Sequence, residues 1–166
     1  MHGRAEIYRS ITALRQLGGP FGGLQLVSSA EHIGIREGRR IRGRYQLRLD
    51  DLITGRRFDD AIARCHFNID VHSTNKKQGT AMEKSPPIQA YDIPLRCCLA
   101  KDIDGLMMAG RCISGDFYAH ASYRVTGIAA RLGQASGCCA ALAAQHNILP
   151  HEVRFAELQE HLASQL

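Results

Sequence analysis

Residues 104–145 read DGLMMAGRCISGDFYAHASYRVTGIAARLGQASGCCAALAAQ, and the rest of the chain is organised around them. A short apolar run, Gly105 to Ala109, predicts a strand that stops at Gly110-Arg111. A polar loop is expected from Cys112 to Tyr123, carrying Asp116, His120 and Ser122. An Ala/Gly-rich helix follows from Val125 to Gln145. Strand, glycine stop, polar loop and buried helix, in that order, present backbone N–H groups to an anionic or electron-rich ligand in α/β proteins.

Within the helix, Val125, Ile128, Ala129, Leu132, Ala135, Cys139 and Leu142 recur at threes and fours and predict one apolar stripe. Gly127, Gly133 and Gly137 run against helix propensity, each costing on the order of 1 kcal/mol relative to Ala. Such glycines point either to close approach by a backbone or a flat ligand, or to tight helix packing alone. A membrane span is excluded for this segment, because Arg131 and Gln134 lie in its middle.

The 166 residues suffice for a domain with its own core, and 45% hydrophobic with 22% charged residues describes an ordinary soluble chain. Met1 to Ser10 lacks the apolar stretch of a secretion signal, so a cytoplasmic protein is expected, without membrane attachment. The net charge of +5 is concentrated in Arg36, Arg39, Arg40, Arg42, Arg44 and Arg48. With only 6% aromatic residues there are few platforms for base stacking, which argues against nucleic acid and for an anionic ligand or ion pairs. Cys65, Cys97, Cys98, Cys112, Cys138 and Cys139 form no C-x-x-C pair, so no metal site and no dithiol redox motif is expected. Reduced, mostly buried thiols are the plain reading.

Elsewhere the chain predicts a helix over Met1 to Gln16, ended by Gly18-Gly19-Pro20, and a strand over Phe21 to Ser29. Alternation through residues 33–43, and at Tyr45, Leu47 and Leu49, suggests further strands. Asp50 or Asp51 is positioned to cap a short helix. Asp59 to Arg64 reads as a helical turn and His66 to His72 as a strand. A polar loop is expected over Ser73 to Pro87, and an extended run over Ile88 to Leu99. Pro150 starts a last helix with Phe155, Leu158 and Leu162 on one face.

Several of these segments resemble, in order, the C-terminal motifs of the FAD-dependent oxidoreductase family, related in fold to glutathione reductase and fumarate reductase flavoproteins. The matching residues are Gly105 to Ser114, Ala119 to Val125 and Leu132 to Gly137. Arg36 to Gly43 is similar to the family's R-E-S-R-R-I-x-G, with Gly38 in place of Ser. Ile69-Asp70-Val71-His72 resembles I-D-x-H, and Tyr91 to Arg96 is also family-like. The resemblance covers nearly the whole chain, but no G-x-G-x-x-G turn of the kind that holds the FAD pyrophosphate occurs in it.

The resemblance implies an α/β fold (α+β for the chain by itself). Residues 1–103 would belong to a β-rich substrate or cap region and residues 104–166 to the C-terminal segment of a Rossmann-like FAD domain. It implies FAD as cofactor, with Ala109, Gly110 and Arg111 beside the ribityl chain. Thr126, Gly127 and Ile128 would lie at the pyrimidine edge, where a helix N-terminus carrying roughly +0.5 charge suits a reduced flavin. His120 and Arg124 match the substrate-binding His and Arg of fumarate-reductase-like flavoproteins, and His72 is a third candidate from the cap side. The implied reaction is hydride transfer to or from a small anionic substrate. The implied partner is a half that binds the FAD pyrophosphate, or a second copy of the chain; the alternative is a non-catalytic, partner-binding fragment.

Overall fold

The computed structural model describes residues 2–32, 34–71 and 85–164. The chain forms two units, Met1–Arg36 and Glu37–Leu166. The first is built on helix α1 (His2–Gln16), as its periodicity predicts. The helix ends where Gly18 and Gly19 take φ of 68° and 53°, a region glycine enters without a Cβ penalty. A 3-10 turn, Gly19–Phe21, follows, and Arg15 Nε donates to the Leu24 carbonyl at 2.7 Å. The expected strand over Phe21 to Ser29 does not form. An apolar run becomes a strand only where another strand pairs with it, and Val27 is instead 96% exposed. None of the described residues in this unit is buried.

The second unit carries the core. Helix α2 (Leu49–Thr54) starts at Arg48, not at either aspartate. Asp51 sits a turn inside and accepts from the Arg48 N–H at 2.9 Å, from the Tyr45 hydroxyl at 2.9 Å and from Arg56 at 3.1 Å. Strand β1 (Ala61–Cys65) pairs antiparallel with β2 (Tyr91–Pro94), with Cys65 opposite Tyr91, Arg64 opposite Asp92 and a bulge near Ala61. The strand therefore lies where a helical turn is expected at Asp59 to Arg64. Residues 66–71, whose alternation suggests a strand, lie outside the ladder. Alternation shows only that one face is apolar; whether a strand forms depends on a partner that the local pattern does not reveal. The segments around Arg36 to Gly43 and Tyr45 to Leu49 likewise contribute only single bridges, Gly43 to Ala100 and Leu47 to Gly115.

The run Gly105 to Ala109 is extended but pairs at one point, Leu99 with Met107, supported by Met108 N–H to Cys98 O at 2.8 Å and Ala100 N–H to Leu106 O at 3.0 Å. The expected loop Cys112 to Tyr123 contains helix α3 (Phe117–Tyr123), because Asp116 caps it by accepting from the Ala119 N–H at 2.8 Å. Helix α4 (Thr126–His146) matches its predicted span to within a residue at each end and closes on Asn147 in the left-handed region, φ 52°. A 3-10 turn at Pro150–Glu152 leads into α5 (Phe155–Ala163).

Leu132, Ala135, Cys139 and Leu142 of α4 are buried, as the stripe predicts, together with Leu158 and Leu162 of α5 and Ile62, Tyr91 and Ile93 of the sheet. All six cysteines are free. Burial pushes the Cys98 thiol up to about 12 and Cys139 to about 11, so both are protonated and unreactive at neutral pH. The result is a helix-rich mixed α and β structure with one two-stranded antiparallel sheet among the described residues. No helix among them is long and apolar enough to cross a membrane.

Candidate functional site

The start of α4 is the first place where sequence and structure converge. Its cap residue, Val125, offers no side-chain hydrogen bond, and the first turn holds no acidic residue. The amides of Thr126, Gly127 and Ile128 therefore have no partner inside the helix, and the helix dipole leaves them partly positive. A Cβ built on Gly127 would meet nothing within 4 Å. Gly127, Ile128 and Arg131 open onto a groove of about 460 Å³, walled by Ala61 to Arg64 of β1 and by Arg57 and Asp92. Three guanidinium groups and one carboxylate thus surround it.

Two of those guanidiniums are held in place. Arg57 Nε donates to Asp92 at 2.6 Å. Arg131 bridges the Ile62 carbonyl at 3.1 Å and Gln134 at 2.7 Å, which fastens α4 to β1. Arg131 entered the sequence reading only as an argument against a membrane span; its role in the groove depends on a strand that the sequence did not reveal. Gly110, φ 68°, packs with its turn against α4, where an added Cβ would lie 3.5 Å from the Ala129 Cβ. Ala109 and Arg111 are exposed on the same turn and are not part of the groove wall.

The second place lies at the end of α3. His120 is fully buried, and among the described residues neither ring nitrogen has a well-aligned hydrogen-bond partner, although the Arg111 backbone is near enough to act on the ring. Its ring meets the edge of Tyr123 at 5.5 Å between centroids. Burial, reinforced by the Arg40 and Arg124 charges, lowers its pKa to about 4, so the ring is neutral at pH 7. A neutral imidazole offers one N–H donor and one acceptor.

Arg124, one helical turn on, has a side chain only 3% exposed; its Nη1 reaches Glu37 at 2.6 Å and its Nη2 donates to the Asp70 carbonyl. It pairs with neither Asp116 nor Asp92. Asp116 is taken up by the α3 cap and by the Leu49 N–H at 2.8 Å, and Asp92 by Arg57. Ser122 secures the neighbouring turn, accepting from the Tyr91 hydroxyl at 2.8 Å and donating to the Phe67 carbonyl. The structure therefore brings His120 and Arg124 together and adds Glu37 and Arg40. His72 lies outside the described residues.

An uncapped long helix opening on a basic groove suits an acceptor-rich cofactor edge, and the buried imidazole and guanidinium suit a small anion. The chain belongs to the FAD dependent oxidoreductase family, whose family model matches residues 1–162. The cofactor of the family is FAD. No curated protein and no solved structure gives a significant match to the chain. The free donors of α4 and the open space over Gly127 fit the acceptor edge of an isoalloxazine. The glycine run Gly18 to Gly23 does not fit its pyrophosphate, because it forms an exposed 3-10 turn that leads into no helix.

Proposed function

We propose that this chain is the C-terminal portion of an FAD-dependent oxidoreductase that transfers hydride to or from a small anionic substrate. Residues 104–166 are read as the end of the FAD domain and residues 1–103 as part of the substrate or cap region. A half carrying a phosphate-binding turn, or a second copy of the chain, is the expected partner. FAD supplies the hydride chemistry when bound; the chain's own residues bind, orient and polarise. Thr126, Gly127 and Ile128 offer N–H donors to the pyrimidine edge, with Gly110 and its neighbours Ala109 and Arg111 beside the ribityl chain. Arg124 orients the substrate anion through its planar fork, and His120 donates an N–H or accepts a proton as a neutral ring.

The observation that carries this reading is the pair itself: a fully buried imidazole without a well-aligned hydrogen-bond partner among the described residues, next to a buried Arg124 side chain. Buried polar atoms are nearly always satisfied, so an imidazole this short of partners suits a ligand. The test uses enzyme reconstituted with FAD and the pyrophosphate-binding half, comparing Arg124→Lys, His120→Ala and His72→Ala. Lysine keeps the charge but loses the fork, so Arg124→Lys should lose turnover while flavin content stays intact. Full turnover in all three variants would place the active site elsewhere.

A further inference from the structure

The Arg124–Glu37 pair is asymmetric. The Arg124 side chain is 3% exposed, whereas the side chain of Glu37, which neutralises it, is 45% exposed and belongs to a segment without regular structure. The Arg124 side chain is held away from water, while the Glu37 carboxylate is half-exposed to it. Arg40, half-buried nearby, makes no ion pair or hydrogen bond among the described residues. Its charge and that of Arg124 both act on His120. The cluster thus holds two guanidinium charges against one carboxylate, beside the buried imidazole of His120.

We propose that Glu37 is an internal occupant of the Arg124 clamp: its carboxylate holds the seat that a ligand carboxylate takes, and the ligand displaces it. Arg40 and the His120 ring then complete the ligand's contacts. The inference rests on reading His120 and Arg124 as the anion side of the site. Because Glu37 is tethered, it competes at an effective concentration in the millimolar range, so the clamp rejects weak carboxylates and admits those that also engage Arg40 and His120.

The test needs neither FAD nor turnover. Thermal melts of the full chain and of Glu37→Gln are recorded with acetate or succinate, against chloride at equal ionic strength. Removing the carboxylate leaves a buried charge unpaired, so the melting midpoint of Glu37→Gln should fall by several degrees. Succinate should restore it where chloride does not, and calorimetry should show succinate binding about tenfold tighter than to the unaltered chain. Glu37→Gln/Arg124→Met should lose this response. If Glu37→Gln is too unstable to purify, Glu37→Asp, with a shorter reach, should show part of the same gain. A fall in stability without carboxylate-specific recovery would make the pair purely structural and overturn the proposal. A carboxylate response in a chain that never supports flavin turnover would leave this inference standing and remove the oxidoreductase reading. Normal turnover with no carboxylate response would do the reverse.

Discussion

At the scale of single residues, His120 sets the clearest pH dependence. Its folded pKa of about 4 lies below the value of about 6.5 for a free imidazole. Between those values the unfolded chain binds a proton that the folded chain refuses, so stability is full above pH 6.5 and is lost as the pH falls toward 4. The loss attributable to this ring is about 3 kcal/mol. His120→Leu should flatten the pH dependence of the melting midpoint over that window, and by removing the buried polar ring it should be neutral or stabilising at pH 5. An unchanged slope would mean that the ring is solvated. His120 and Arg124 were legible as candidates because they stand one turn apart in a recognisable motif. Glu37 was not, since 87 positions separate it from Arg124 and it stands in a segment dominated by arginines. Arg40 was visible only as one arginine among six, and nothing local distinguishes the one that ends beside the imidazole.

At the scale of elements, α3 and α4 differ in what makes them helical. The seven residues of α3 are held by Asp116, whose two oxygens accept from the Ala119 and Leu49 amides, both at 2.8 Å, tying α3 to α2. Asp116→Ala should cost about 2 kcal/mol, from one cap and one further charge-assisted bond, and Asp116→Asn about half that; urea unfolding gives the comparison. This helix was missed because a polar, aromatic heptamer shows no period, and a cap can be recognised only once the helix it starts is known. The long helix was legible because its stripe runs over several turns. The reason for its glycines was not: a Cβ on Gly127, Gly133 or Gly137 would meet nothing within 4 Å, so packing inside the chain does not require them. Gly133→Ala and Gly137→Ala should each stabilise the isolated chain by about 0.5–1 kcal/mol, read from thermal melts. Destabilisation would show that the face is already occupied. The strand β1 was misread because five residues with one bulge carry too little alternation to outweigh the acidic start of the segment.

For the molecule as a whole, the buried residues among those described all fall in Glu37–Leu166. A chain of residues 37–166 should therefore unfold with nearly the midpoint of the full chain, within about 2 °C, whereas loss of cooperativity on removing residues 1–36 would show that the first unit contributes to the core. The same chain should hold FAD weakly, because the donors at α4 address one edge of the cofactor and no phosphate-binding turn addresses the other; sub-micromolar binding by calorimetry would overturn this. Order along the sequence was enough to recognise the family, since separate motifs fall in sequence, but a sheet is a relation between distant segments, and among the described residues one ladder joins them. The outer side of α4 carries Ala130, Gly133, Gly137, Ala140, Ala141 and Ala144, all exposed. Side chains without a rotatable heavy-atom bond have no rotamer freedom to lose. Whatever comes to lie along that helix does so without the ordering cost that a surface of lysines and glutamates would impose, so the rate at which such a contact forms and breaks is governed by shape rather than by side-chain rearrangement.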